Sequence, residues 1–242
     1  SPTSLTYLAE AYERAGAPKG ALNICCGLGH SAGAKLVSHP EINHIAFTGS
    51  VETGKSILKA ASDSIIPSII ELGGKSAAVV YKDAEIDTAV EDIVAANTIN
   101  AGQICSACSR VLIEESIYDE VLEKIGRKMQ SLSIGPGIDK NWITPVISEG
   151  QMKKILSFFD LAEKSKAQKL CGGKRHEKYT GYFIEPSLYA VSDHTIQIAQ
   201  EEIFGPVLTA MKFNSAEEAV ELANSTEYGL VAGVYTHNLD LA

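Results

Sequence analysis

Residues 49–56, GSVETGKS, set Gly49, Gly54, Lys55 and Ser56 on the four specified positions of the phosphate-binding pattern G-x-x-x-x-G-K-[ST]. Such a loop wraps phosphates in backbone N–H groups, adds a lysine charge, and needs a Mg²⁺-holding acid on a second strand. Here Glu52 places a negative charge in the cradle, and the nearest strand candidate, AAVVYKD, reaches Asp83 only after a lysine. GLGHSA (27–32) fits the dinucleotide-binding turn G-x-G-x-x-[GA], yet the acid expected about 20 residues later is absent, that strand ending in Phe47 and Thr48. A Gly-rich turn that lets strand and helix pack closely explains GLGHSA equally well. Further on, ELGGKSA (71–77) and GQICSA (102–107) set a carboxylate, Glu71, and a thiol, Cys105, 34 residues apart, and EEIFGPV follows at 201–207. CSAC (105–108) has the C-x-x-C spacing of a redox pair or half a zinc site. No second Cys/His pair at metal spacing accompanies it, so no metal is expected; a reversible Cys105–Cys108 disulfide is the redox alternative.

The elements that must position these residues alternate between helix and strand. Residues 3–15 place Leu5, Leu8, Ala9, Tyr12 and Ala15 on one helical face, with Gly16 and Pro18 as the stop. ALNICC (21–26) reads as a short buried strand, 31–38 as a short helix with Ser31 as N-cap, and HIAFT (44–48) as a strand opening into a helix. PSIIEL (67–72) and SAAVVY (76–81) are further strands. Then come a helix over 86–99, the Gly/Cys turn, a strand at 110–115, an amphipathic helix over 117–132 and a Gly/Pro loop. A helix over about 149–165 follows. GYFIEPSLY, EEIFGPVL and GLVAGVYT are strand-like, with a short helix, AEEAVELAN, between the last two. Alternation of this kind predicts a parallel sheet wrapped by helices, with ligand sites at the carboxyl ends of the strands. The boundary between two domains is placed between residues 72 and 73.

Composition bounds the function. The chain has 242 residues, 45% of them apolar, enough for a sizeable core. A formal net charge of −9 argues against a nucleic-acid or anionic-membrane partner. No apolar run approaches membrane-spanning length, and the first residues show no signal-peptide pattern. Five cysteines in a chain of this size read as free thiols in the cytosol.

FTGSVETG, ELGGKSA, GQICSA, GYFIEP, EEIFGPV and NSTEYGL, taken in order and spacing, resemble the aldehyde dehydrogenase superfamily along the whole chain. The resemblance implies an α/β fold, with the second part of a Rossmann-like cofactor domain at 1–72 followed by a catalytic domain at 73–242 that is C-terminally incomplete. It implies oxidation of a small aldehyde with NAD or NADP. Cys105 would attack the carbonyl, its backbone N–H would hold the oxyanion, and Glu71 would act as general base on the water that hydrolyses the thioester. Gly29 and Gly33 would border the adenine side, Ser50 the diphosphate, Glu202 the nicotinamide ribose, and Phe204 and the Leu72 carbonyl the nicotinamide. By the same resemblance the chain begins after the family's ribose-binding lysine and glutamate, and after the asparagine that supplies the second oxyanion donor. Weak or absent turnover of the chain by itself is therefore expected, together with a homo-oligomer, dimer or tetramer, for a longer parent. A catalytically silent dinucleotide-binding relative and a phosphate-loop NTPase are the alternatives.

Overall fold

IAFT and SIIE, short apolar runs on either side of an amphipathic helix, make the sheet of the first unit. In the computed structural model, which describes residues 2–242, the chain divides into Ser1–Leu72 and Gly73–Ala242. The first unit carries α1 (Pro2–Arg14), a π-helical turn (Gly29–Gly33) running into α2 (Ala34–Val37), β1 (Ile45–Thr48), α3 (Val51–Ser62) and β2 (Ser68–Glu71). β1 and β2 pair in parallel, Ile45 opposite Ser68 and Thr48 opposite Glu71. Its small core is Ile45, Ile57 and Ala61, with Phe47 and Ile70 packed against them. Gly54 lets α3 lie directly on β2, since a Cβ there would overlap a Leu72 methyl.

Three expectations for this unit change. Residues 21–26 form no strand, and Cys25 and Cys26 are exposed. Among the described residues the sheet here holds only β1 and β2, so the apolar run has no ladder to join. Ser31 does not cap a helix: the helix starts two residues earlier after Leu28, whose carbonyl accepts from the N–H groups of Ser31, Ala32 and Gly33. Helix α1 forms as expected, yet its Leu5, Leu8 and Tyr12 face remains exposed.

The second unit is a six-stranded sheet covered on both faces. Its elements are β3 (Ser76–Val80), α4 (Ile86–Thr98), β4 (Cys108–Glu114), α5 (Tyr118–Ser131), α6 (Glu149–Lys164), β5 (Gln168–Cys171), β6 (Ser187–Ala190), α7 (Gln197–Gln200), β7 (Val207–Phe213), α8 (Ala216–Ala223) and β8 (Ala232–Tyr235). The strand order is β5-β6-β7-β4-β3-β8. All neighbours are parallel except β5 with β6. Buried parallel strands should read as unbroken apolar runs, and β3 is buried at every position. Its alternate residues divide between two cores. Ala77 and Val79 join Leu112, Met211, Ile155 and Phe158 on one face. Ala78 and Val80 join Val90, Ile93, Val111 and Ile125 on the other. Burying each such Ile or Val side chain contributes roughly 1.5–3 kcal/mol.

Here too the strand readings need correction. EEIFG forms no strand: β7 begins only at Val207, after Phe204 takes φ +59° and Pro206 removes a ladder donor. In GYFIEPSLY the strand starts after Pro186 for the same reason, with Ile184 contributing only an isolated bridge to Arg175. Antiparallel β5, with its mostly exposed Gln-Lys start, has no apolar pattern and was not expected.

Candidate active site

The first unit holds Glu71, Leu72, Ser50, Gly29 and Gly33. Glu71 ends β2 and is exposed, and its carbonyl accepts from Gly49 N–H at 3.1 Å, so the strand-to-helix turn at 49–50 is tied to the strand that carries the carboxylate. Ser50 is the N-cap of α3: its Oγ accepts from Thr53 N–H at 3.3 Å. Helix α3 thus opens immediately beyond the carboxyl end of β1, where a helix start offers free N–H groups and the positive end of its dipole. Gly29 and Gly33 bound the π-helical turn, and apart from their chain neighbours and the turn's own backbone nothing lies within 4 Å of a Cβ placed on either. The phosphate-loop reading of 49–56 does not survive. Helix already begins at Val51, Gly54 N–H bonds to Ser50 carbonyl at 2.9 Å, and Ser56 Oγ donates to Glu52 carbonyl at 3.0 Å. The amides a nucleotide would need are those of a continuous helix, and Gly54 lies under Leu72 and Ile70.

The second unit holds Cys105, Glu202 and Phe204. Between α4 and β4 the chain passes through three consecutive left-handed residues, Asn100 (φ 53°), Ala101 (φ 55°) and Gly102 (φ 72°). For a non-glycine residue this conformation costs roughly 1–2 kcal/mol, so the surrounding packing must hold it. Gly102 packs on the main chain of Gly205, leaving no room for a Cβ. Cys105 follows on a half-buried turn, and its carbonyl sits against the Cα of Gly74. The Glu202 carboxylate accepts from Gly74 N–H at 3.1 Å. Phe204 is held in its left-handed conformation by Gln151, whose Nε2 donates to the carbonyls of Ile203 (2.9 Å) and Phe204 (2.8 Å). Gly74, Ile104, Ser109, Glu202 and Phe204 line one small cleft. Parts of ELGGKS, GQICSA and EEIFGPV, far apart in sequence, meet there.

Cys108 is set up differently from Cys105. It is buried as the first residue of β4, its Sγ donates to the Arg110 carbonyl at 3.4 Å, and burial pushes its pKa up to about 12. An extra residue in β4 between the Ser76–Cys108 and Ala77–Arg110 pairs turns Cys108 toward the face covered by α4 and α5. The geometry gives no support to a reversible Cys105–Cys108 disulfide. Asn97 fixes this strand start, its Nδ2 donating to the carbonyls of Cys108 (2.7 Å) and Val207 (3.1 Å).

Sequence reasoning missed three side chains of the second unit that hold main-chain carbonyls or amides. Lys75 is 2% exposed; its Nζ donates to Ile198 carbonyl at 2.8 Å, and burial, helped by the Arg110 charge, pulls its pKa down to about 7. Arg110, equally buried, donates to the carbonyls of Lys75, Leu222 and Ala223 at 2.8, 2.7 and 2.6 Å, and so closes the end of α8. Gln103 bonds through both ends of its amide. Nothing in residue type separates these from surface lysines, arginines and glutamines; only Lys75's place inside ELGGKS marked it.

The model of the aldehyde dehydrogenase family matches residues 1–242. The chain belongs to that family. Among aldehyde dehydrogenases, an enzyme from Enchytraeus buchholzi is 41% identical over 244 aligned positions, covering 100% of this chain and 49% of the relative. The chloroplastic betaine aldehyde dehydrogenase of Beta vulgaris is 42% identical over 233 positions, covering 96% and 47%. The NAD⁺ complex of an aldehyde dehydrogenase from Bacillus cereus superposes with a TM-score of 0.96 at 36% identity, covering 99% of this chain and 49% of that one. The chain thus spans about half the length of the aldehyde dehydrogenases it matches. No helix among its described residues is long and apolar enough to cross a membrane.

Proposed function

We propose that this chain carries the nucleophile and the hydrolytic base of an NAD(P)-dependent aldehyde oxidation, with Cys105 and Glu71 in those roles. The packing of the Cys105 carbonyl on Gly74, whose N–H is held by Glu202 in a cleft that Ile104 also lines, is the observation that carries the reading. A thiolate is a strong nucleophile near neutral pH, and its thioester is open to hydrolysis. Cys105 Sγ adds to the aldehyde carbon to give a thiohemiacetal, and the oxyanion takes a hydrogen bond from Cys105's own backbone N–H. Glu71, exposed at the end of β2, then removes a proton from the water that attacks the thioester, releasing the acid and restoring the thiol. A bound nicotinamide cofactor supplies the hydride acceptor.

The residues present fit such a cofactor. The opening turn of α3 suits a diphosphate, with Ser50 as its cap. Open space at Gly29 and Gly33 suits the adenine side. Glu202 would hold the nicotinamide ribose, with Phe204 and the Leu72 carbonyl lining the nicotinamide. The NAD⁺ complex of the Bacillus cereus relative supports NAD⁺ as the first cofactor to try, with NADP⁺ beside it. Betaine aldehyde dehydrogenases among the relatives make aldehydes bearing a quaternary ammonium group the first substrates to try. All five cysteines are free, which supports a reducing compartment such as the cytosol.

Turnover by the 242-residue chain alone is expected to be weak or nil, because α1 buries no residue and much of the apolar surface of the first unit is uncovered. The test is NAD(P)H formation with a panel of aldehydes, using this chain and a longer form of family length, each beside Cys105→Ala. Aldehyde-dependent NAD(P)H that vanishes with Cys105→Ala and slows strongly with Glu71→Gln supports the assignment. A longer form that turns over normally without Cys105 would refute it.

A further inference from the structure

We infer that Gln103 is a positioning residue for the nucleophile, clasping the left-handed turn before Cys105 to the segment 147–151 and through it to the turn at 203–204. The inference rests on the reading of Cys105 as the nucleophile. Gln103 Nε2 donates to Asn100 carbonyl at 3.0 Å, and Asn100 Nδ2 donates back to Gln103 carbonyl at 3.1 Å. Gln103 N–H also bonds to Asn100 carbonyl, at 3.2 Å. The two side chains therefore close a ring of hydrogen bonds around Ala101 and Gly102, in the stretch whose backbone is least at home in the left-handed region.

The other end of the same amide reaches across the unit. Gln103 Oε1 accepts from Ile147 N–H at 2.8 Å. One residue later Ser148 caps α6, and in the first turn of that helix Gln151 grips the carbonyls of Ile203 and Phe204. The amide can sit only one way round, because flipping it would set oxygen against the Asn100 carbonyl and NH₂ against the Ile147 N–H. The Cys105 turn and the Phe204 turn are thus held together twice: by Gly102 packing on Gly205, and by the chain of contacts from Gln103 through Ile147 and Gln151. Packing resists compression, whereas the directed bonds resist rotation of the turn. Rotation is the motion that would swing the Cys105 sulfur and its backbone N–H away from a shared target.

The experiment uses the 242-residue chain with Gln103→Leu and Gln103→Glu, read by hydrogen exchange at the Ile147 amide and by peptide mapping after a limiting iodoacetamide pulse. Exposed Cys25 and Cys26 serve as internal references for the alkylation rate of Cys105. Gln103→Leu, which removes both ends of the clasp, is expected to speed exchange at Ile147 at least tenfold. It should raise the Cys105 rate severalfold relative to the references. Gln103→Glu keeps an acceptor for Ile147 N–H but loses the donor to Asn100, so it should leave Ile147 protected and still raise the Cys105 rate. Should Gln103→Leu fail to fold, the near-isosteric Gln103→Glu decides alone. Folded variants whose Cys105 rate matches the native chain overturn the proposal. A shifted Cys105 rate in a protein that oxidises no aldehyde in any form upholds the clasp and removes the enzymatic reading instead.

Discussion

The Glu202 carboxylate docks on the Gly73–Gly74 backbone, accepting Gly74 N–H at 3.1 Å where a Cβ on Gly73 would overlap it. Gly73→Ala should therefore expel Glu202 from this contact and leave the Gly74 amide without its partner. The expected loss is about 1–3 kcal/mol of unfolding free energy, measured by urea denaturation of the 242-residue chain. Glu202→Gln, which keeps a carbonyl acceptor, should lose less than half of that. Equal stability of Gly73→Ala and the native chain would show that the docking carries no weight.

Lys75 predicts a pH dependence. Burial lowers its pKa from 10.5 to about 7 in the folded chain, so between these values the unfolded chain holds a proton that the folded one lacks. Stability therefore rises with pH from about 7 upward, by about 1.4 kcal/mol per pH unit at most. Below that window the burial penalty is fully present. Cys108 and Tyr189, whose pKa values are raised by burial, act in the opposite sense once pH passes their ordinary values of 9.0 and 10.0. Unfolding free energies from pH 7 to about 8.5 isolate the lysine. Lys75→Met should flatten the slope there and be the more stable protein at pH 7; a slope unchanged by the substitution would exclude Lys75 as its source.

Thiol chemistry should separate the five cysteines. Cys25, Cys26 and Cys105 are accessible, whereas Cys108 and Cys171 are buried with pKa values raised by desolvation. A limiting alkylation pulse is expected to leave both buried thiols unmodified. Mild peroxide should give no Cys105–Cys108 disulfide, and Cys108→Ala should leave the Cys105 rate unchanged. Recovery of a peptide cross-linked between 105 and 108 from the folded chain would contradict the strand geometry.

Lys55 lies exposed on α3 with no phosphate cradle ahead of it. Lys55→Ala should alter stability by no more than about 0.5 kcal/mol. Mg·ATP should shift the thermal midpoint of neither protein. A midpoint raised by Mg·ATP in the native chain alone would restore the phosphate-loop reading.

The second unit was largely legible in sequence, because a strand buried on both faces cannot hide: SAAVV and VLTAMKF are apolar throughout or nearly so. Cys105 and Glu202, proposed as nucleophile and cofactor contact, stand out in sequence only through motifs that resemble the family's. What escaped had weak local signatures. β5 is a polar edge strand recognisable only from its neighbour. ALNICC has a strand's composition but no partner among the described residues, and EEIFG is apolar enough to extend yet is turned by Phe204 and Pro206. Gln103, Gln151 and Lys75 act through main-chain carbonyls and amides, and a contact with backbone leaves no complementary residue type elsewhere in the sequence to betray it.

The close approach of Gly102 to Gly205 has a consequence for how such a protein can change. What a side chain at 102 would strike is the carbonyl carbon and oxygen of residue 205 and the nitrogen of 206, atoms that every amino acid possesses. No second substitution at 205 can make room, so damage at this position has no local suppressor. Variation here can be discarded but not repaired, and any restoring change would have to move a whole turn of the chain.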